Sequence, residues 1–461
     1  MFTTKESLYL FALNTYIIKE NLEVNEENMK ETIKRSSVDY WISRKLGIEL
    51  NELNQDKLFD WQLSAFKEAI KNAKKESRYY KRLFKDIEPE DIKTEKDIEK
   101  IPCTSEQDLA RNETEFLCVN QNDVSRVVTV NTTGTSGKQK RIYFTKNDQI
   151  STHEFMRVGF STMIKPNDVV MVMMSGVTEG SIGKSVEHAL NTDGIKIYVY
   201  GSIVNISDAY EFLLSCRPNV IVGIPSQIGA LSRFGQRFGN PEKEFINSVL
   251  LSADDIPETL RKRIERLWNC QVYNHYGMTE FGIAGGVECE GFSGYHTRDC
   301  DLYFEIINKD KDGIGEIVFT TLNREGMPLI RYKTGDLGKF TETRCPCGSR
   351  LKRIEKVYGR KRNTIKLYNG VVNLSDIGNA VLNEKNVADY DCVFNVGEFR
   401  LIIKVKIFLE DEADINIILN SLRQIDVIHD AIMKGLKIKV ICEDMNDFLK
   451  DGNLKKTLLI Q

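Results

Sequence analysis

The sequence predicts an α/β protein whose parallel strands are buried on both faces, and three observations carry that prediction. Short apolar runs recur through the middle of the chain: VVMVMM at 169–174, IKIYVY at 195–200, VIVG at 220–223 and SVLLSA at 248–253. Helical stretches such as DAYEFLLSC and PETLRKRIERLW separate them. The runs are apolar throughout instead of alternating, as a strand covered on both sides requires, and the intervening helices supply the cover. At 461 residues the chain has room for two or three domains and a sizeable core.

The elements on either side differ. Residues 1 to about 100 read as mainly helical. In WQLSAFKEAIKNAKK, helical spacing sets Leu63, Phe66, Ile70 and Ala73 on one face with lysines elsewhere. The first residues, MFTTKESLYLFALNTYIIKENLE, have no basic leader or small-residue cleavage site, so they read as an amphipathic helix and not a signal peptide. After 300, DLYFEIIN and GEIVFTTL read as antiparallel strands. GRKRN at 359–363 is rich in charge and turn-formers and reads as a linker. Beyond it, RLIIKVKIFL and LKIKVICE alternate with the helical DINIILNSLRQI, the pattern of a small α+β domain. The expected division is therefore a large unit over 1–358, a hinge at 359–363 and a small domain over 364–461.

Composition narrows the function. Hydrophobic content of 41%, charged content of 28% and a net charge of −3 are those of an ordinary soluble protein. No basic stripe invites nucleic acid, and no apolar run approaches the length that spans a membrane. Ten cysteines without a secretion signal fit a reducing, cytoplasmic setting with most thiols simply buried.

One loop stands out. NTTGTSGKQK at 131–140 lies between VVTV and RIYFT, both strand-like. Gly134 and Gly137 allow a backbone turn with N–H groups exposed on one side. Thr132, Thr133, Thr135 and Ser136 add hydroxyl donors, and Lys138 and Lys140 add charge. This is a phosphate cradle or a flexible hairpin turn. It is not a Walker loop, because only two residues separate the glycines and Gln139 follows the first lysine.

Four further stretches combine with it in order: IPCTSEQDLARN (101–112), NHYGMTEFG (274–282), RYKTGDLG (331–338) and GRKRNTIKLYNG (359–370). Together they resemble the acyl-adenylate-forming superfamily, and within it the phenylacetate–CoA ligase-like branch, which also contains enzymes that adenylylate a deazaflavin cofactor. The resemblance covers nearly the whole chain. It implies a large adenylate-forming domain with a helical lead-in segment and mixed sheets, and a small mobile α+β C-terminal domain.

The resemblance also implies the chemistry. A carboxylate attacks the α-phosphate of ATP with Mg²⁺ present, giving acyl-AMP and pyrophosphate, and a thiol, expected to be that of CoA, then takes the acyl group. Positioning and charge stabilisation dominate such a reaction. The loop from Thr132 to Lys138 would hold the β- and γ-phosphates. Thr279 corresponds to the threonine at the α-phosphate and Glu280 to the magnesium-associated carboxylate, with Tyr276 and Gly277 forming the turn before them. Asp336, read as the end of a turn after a strand, would accept both ribose hydroxyls, and Arg360 would lie beside the ribose. Ser252, Ala253 and Asp254 stand in the adenine-pocket segment, although SAD departs from the family's pattern there. The pivot corresponds to Arg362, and Lys366 would join the site in the thiol-accepting orientation. Near the end, FLKDGNLKKTLLIQ matches Gly452 to the family's glycine but puts Asn453 where its catalytic lysine belongs. Asparagine carries no charge, so Lys450 or, preferably, Lys455 would have to take that role.

The sequence also offers a metal site. RCPCGSR puts Cys345 and Cys347 on one turn, and GGVECEGFSGYHTRDC supplies Cys289, His296 and Cys300 upstream. Two such half-sites close a tetrahedral Cys₃His zinc site, or they are loop thiols and a core histidine. Relatives with a similar C-P-C-G imply structural Zn²⁺ on Cys289, His296, Cys345 and Cys347. The acyl pocket is expected near GIPSQIGAL (223–231) and MMSGVTEGSIG (173–183), with Glu179 and Lys184 in reach of a polar substrate or solvated. The expected partners are a small carboxylic acid, aryl and phenylacetate-like, and CoA. A carrier protein or cofactor as acceptor, an adenylyl transferase, and a non-catalytic nucleotide-binding relative remain the alternatives.

Overall fold

Capping residues set the first helices. The Ser36 side chain accepts from the Asp39 N–H at the head of α1 (Ser37–Leu46), and Gly47 ends that helix at φ 69°. Asn54 caps α2 (Gln55–Glu76), whose buried face carries Phe66, Ala69, Ile70 and Ala73. Leu63 is only half-buried, and Gln62 goes inward instead because its amide donates to the Asp299 carbonyl at 2.9 Å. Next come α3 (Arg78–Leu83), α4 (Glu95–Glu99) and α5 (Glu106–Asn112), the last two headed by capping boxes at Thr94/Asp97 and Ser105/Asp108. The computed structural model describes residues 35–131, 139–176, 180–191, 194–450 and 458–461. The expectations for the N-terminal helix, for Thr132 to Lys138, for Glu179 and for Gly452, Asn453 and Lys455 lie outside the described residues.

β1 (Arg126–Asn131) and β2 (Gln139–Phe144) pair antiparallel with Asn131 opposite Gln139, so strands do flank the hydroxyl-rich loop. A capping box at Thr145/Asp148 then starts α6 (Lys146–Phe160). The alternating region folds as its pattern predicts. Its elements are β3 (Val169–Met173), α7 (Ile182–Leu190), β4 (Lys196–Val199), α8 (Ile206–Cys216), β5 (Val220–Gly223), α9 (Pro225–Gly235), β6 (Ser248–Leu251), α10 (Glu258–Trp268) and β7 (Gln271–Tyr276). These five strands are mutually parallel, and β8 (Gly286–Val287) and β9 (His296–Thr297) extend the sheet antiparallel, in the order β4-β3-β5-β6-β7-β8-β9. The order reverses between β4-β3 and β5, and a crevice opens at the carboxyl ends of strands at such a point.

A second, antiparallel sheet of β10 (Leu302–Ile307), β11 (Gly315–Thr321), β12 (Tyr332–Thr341) and β13 (Arg353–Arg360) follows. The C-terminal part has a hairpin, β14 (Thr364–Leu367) with β15 (Gly370–Asn373), then α11 (Leu374–Val381), β16 (Asp389–Asn395), β17 (Arg400–Ile407), α12 (Ile415–Arg423), α13 (Asp426–Met433), β18 (Lys437–Asp444), α14 (Met445–Lys450) and β19 (Leu458–Ile460). Its main sheet runs β18-β17-β16-β19.

One local expectation is corrected. Gly359 and Arg360 are not linker: they end β13, where Arg360 pairs with Asp336 of β12, and only the turn Lys361–Asn363 separates β13 from β14. Residues Ser36–Gln461 pack as one unit. The C-terminal part rests on α9 and α10, where the buried Arg263 donates to the carbonyls of Leu382, Glu384 and Val387, and Arg233 pairs with Asp411 at 2.9 Å.

Candidate active site

The carboxyl ends of the parallel strands face the β1–β2 hairpin and β12, and a cavity of about 760 Å³ lies between them. Its two regions differ in chemistry. One wall is polar, with Glu106, Lys140, Thr279, Glu280, Thr334, Arg360 and Lys361. The other arm is apolar, with Phe155, Met156 and Phe160 from α6, Met174 after β3, Val186 from α7, Val222 and Leu250 from β5 and β6, and Val287 from β8.

The polar wall is built by long-range pairing. Glu280, buried in the short turn after β7, forms an ion pair with Lys140 of β2, and Lys140 also reaches Glu106 of α5 at 2.7 Å. The Tyr332 hydroxyl stands 3.5 Å from Glu280. Burial, then the negative Glu280, raises that phenol well above its usual value, so it stays a donor. Sequence reasoning had Lys140 only as a charge in the loop, because nothing local indicates a partner 140 positions on. Gly277 is required where it stands: a Cβ there would fall 2.0 Å from the Ile283 carbonyl oxygen.

Asp336 is not at the end of a turn, as expected, but inside β12, where the register to β13 breaks between Asp336 and Gly338. Gly335 at φ 76° is what makes TGD look like a turn in sequence. The Tyr276 hydroxyl donates to Asp336 Oδ2 at 3.0 Å, and Arg360 Nε lies 3.2 Å from Oδ1. Burial opposes the Arg360 charge, but Asp336 and Glu280 outweigh it and hold the guanidinium firmly protonated. Arg360 thus forms the cavity surface with Asp336 and Tyr276 directly behind it.

The remaining predicted residues divide. Ser252, Ala253, Gly277 and Thr279 line the cavity. Ala253 has φ 77°, a strained left-handed conformation for a residue with a side chain, at the carboxyl end of β6. Asp254 is not in the lining, and its carboxylate accepts from the Asp255 N–H at 2.9 Å. Lys366 is exposed on β14 and outside the lining. The acyl wall expected from GIPSQIGAL is corrected as well. Gly223 ends β5 and Pro225 onward forms α9, all eleven residues of which are buried in the core, and the arm is walled by α6 and the strand ends. MMSGVTEGSIG does contribute Met174 and Ile182, whereas Lys184 pairs with Glu187 at 2.5 Å.

The four predicted metal ligands converge. The ligand atoms of Cys289, His296, Cys345 and Cys347 all lie within 4.8 Å of one another. Cys289 Sγ to Cys345 Sγ is 3.6 Å, and Cys347 Sγ to His296 Nε2 is 3.6 Å. Tetrahedral zinc with ordinary bond lengths would set sulfurs about 3.8 Å apart and sulfur to nitrogen about 3.6 Å, so the donor set fits that ion. On its other side His296 Nδ1 faces Ser36 Oγ at 3.4 Å and Asp39 Oδ1 at 3.8 Å, and Ser349 Oγ donates to Asp39 at 2.8 Å. A carboxylate behind a ligating imidazole fixes its ring orientation. Cys300 is not among the four: it is buried in the core beside α6.

The fold is that of adenylate-forming acyl-CoA ligases. Over 92% of this chain and 91% of its counterpart, the structure superposes with a TM-score of 0.72 on 2-hydroxyisobutyryl-CoA ligase in the postadenylation state with R3-HIB-AMP, at 18% identity. In sequence the chain is similar to phenylacetate–coenzyme A ligases. It is 28% identical to that of Thermus thermophilus over 329 residues, 68% of this chain and 72% of the relative. It is 26% identical to that of Aromatoleum evansii over 337 residues, 68% and 72% respectively. No family model matches the chain. Among the described residues, no helix is long and apolar enough to cross a membrane.

Proposed function

We propose that the protein is an ATP-dependent, AMP-forming ligase that activates an apolar carboxylic acid and passes the acyl group to CoA. The observation that carries this reading is one cavity with a charged, hydroxyl-bearing wall and an apolar arm, room for a nucleotide and an acid side by side. The acid's carboxylate oxygen attacks the α-phosphorus and pyrophosphate leaves. The CoA thiolate then attacks the acyl carbon, AMP leaves with the bridging oxygen, and the thiol proton passes to solvent. Thr279, in the cavity lining, would contact the α-phosphate, and Asp336, paired with Arg360, would accept from the ribose hydroxyls. Glu280 would hold Mg²⁺, which when bound neutralises phosphate charge. The loop Thr132–Lys138 would wrap the departing pyrophosphate. A structural Zn²⁺ on Cys289, His296, Cys345 and Cys347 completes the reading. With four protein donors it leaves no open position for substrate.

The test is pyrophosphate release with ATP and Mg²⁺ against aryl and alkyl acids, with and without CoA. Release that depends on one class of acid, with AMP and an acyl-CoA as products, is expected. ATP binding without pyrophosphate from any acid would reject the ligase. Acyl-AMP that forms but is not passed to CoA would move the acceptor to a carrier protein or another cofactor.

Two residues of this reading make separable predictions. Lys450 is exposed and paired with Asp447 at 3.2 Å, and we assign to Lys455 the charge that Asn453 lacks. Lys455→Ala is expected to slow acyl-AMP formation by about 10²-fold, while thioester formation from supplied acyl-AMP changes less than about threefold. Tyr276→Phe removes one hydrogen bond to Asp336, a loss of about 1 kcal/mol, so the KM for ATP should rise about fivefold with kcat little changed. The turn Lys361–Asn363, with Arg362 as pivot, is where the C-terminal part would rotate to bring Lys366 inward for the second step.

A further inference from the structure

One polar residue in the apolar arm has no part in the reaction described above. His275 stands directly opposite Val287 in the antiparallel β7–β8 pair, and residues opposite one another in such a pair send their side chains to the same face. Val287 closes the apolar arm against α6, its Cγ1 lying 3.4 Å from where a Cβ on Gly159 would sit. His275 therefore belongs to the acyl arm, and it lines the cavity there. Its Nδ1 is 2.8 Å from Ser252 Oγ, which fixes the ring and occupies one nitrogen. Among the described residues no hydrogen bond is made to Nε2. Burial pushes the imidazole down to about 4, so at neutral pH the ring is uncharged. His275 is half-buried at the cavity, so an acid that displaces water from this wall of Phe155, Met156, Phe160 and Val287 must satisfy Nε2 or leave a polar nitrogen unpaired.

We infer that the acyl substrate is an apolar acid carrying one neutral hydrogen-bonding substituent, a hydroxyl or an amine, seated against His275 Nε2. The inference rests on the ligase reading and names the substrate class of that same site. A hydrogen-bonding pocket rejects the analogue that lacks the partner group far more strongly than an apolar pocket rejects an extra methylene. His275 is then a specificity residue, and its removal should change which acid is preferred and leave the use of ATP alone.

The experiment compares phenylacetate with its ring-hydroxylated and ring-aminated analogues and with a dicarboxylic analogue, in wild type, His275→Phe and His275→Gln. Pyrophosphate release and calorimetric binding of each acid to the full chain are both read. Wild type should favour a hydroxylated or aminated acid at least tenfold in kcat/KM, expressed in KM. His275→Phe should abolish or invert that preference with the KM for ATP unchanged, and His275→Gln, which keeps a hydrogen-bonding group, should restore part of it. Equal use of the unsubstituted acid, a preference that survives in His275→Phe, or a better dicarboxylic acid paired by the nearby Arg126 would overturn the inference. If no acid releases pyrophosphate, the ligase reading fails separately. A binding preference that His275→Phe removes would still support the substituent, and no binding by any acid would overturn both.

Discussion

Replacing Cys345 with alanine is expected to strip the protein of its metal and to lower its thermal midpoint by roughly 5–10 °C. Metal analysis of the wild type should give about one zinc per chain, and the variant close to none. The size of the effect follows from what the site joins. Cys289 and His296 lie at the β8–β9 edge of the parallel sheet, and Cys345 and Cys347 lie in the connection between β12 and β13 of the antiparallel sheet. One ion there would tie two sheets together across 56 positions of chain. Losing such a clamp removes several kcal/mol, and at roughly 2–4 °C per kcal/mol for domains of 150–250 residues, less for a longer chain, a shift of this order results. Arg360 and Asp336 sit on the same two strands, so the KM for ATP should rise as well. Asp39→Ala leaves all four ligands in place and should be milder, with zinc affinity in a chelator competition falling about 10–100-fold. Wild-type protein that contains no zinc and melts unchanged in chelator would reject the site.

The parallel sheet was legible because its strands are continuous apolar runs: VIVG is β5 residue for residue, and VVMVMM and SVLLSA overrun their strands by one and two residues. The cluster of Cys289, His296, Cys345 and Cys347 was legible because C-P-C-G and an upstream Cys/His pair are chemically unusual, so their convergence needed no knowledge of the fold. The site's remaining parts were less visible, each for a physical reason. Asp336 looked like a turn residue because a bulge in a strand and a turn both use glycine at positive φ. GIPSQIGAL looked like a pocket wall because the resemblance assigns the equivalent segment to the acyl pocket and Gly223 and Pro225 suggest a loop, whereas here Pro225 is at the first turn of α9, where a missing N–H costs nothing. Of the apolar arm only the stretch that holds Met174 and Ile182 was read. Phe155 and Val287 are core-type residues on separate elements, and only the folded chain decides that a space lies between them. His275 was quoted within a motif but given no role, because its meaning depends on its neighbour across β8.

Glu280→Gln is expected to lower kcat/KM for pyrophosphate release by about 10²–10³-fold, the effect of removing one preorganised charge from the phosphate site. The change keeps the shape of the side chain and removes only its charge. In the wild type that charge is shared: Glu280 pairs with Lys140, and Lys140 holds Glu106 on its other side. With no nucleotide bound, this pairing keeps two buried charges satisfied. On the proposed reading Glu280 would exchange Lys140 for the cation when ATP is bound, and Lys140 would become available to phosphate oxygens. The exchange predicts non-additivity. Lys140→Met should also slow adenylation strongly, yet the double variant should be little worse than Glu280→Gln alone, because each charge acts through the other. Thioester formation from supplied acyl-AMP involves no pyrophosphate and should stay within about threefold of wild type in all three variants. If Glu280→Gln instead leaves pyrophosphate release intact and lowers only the melting temperature, Glu280 is a structural partner of Lys140 and the cation must be held elsewhere.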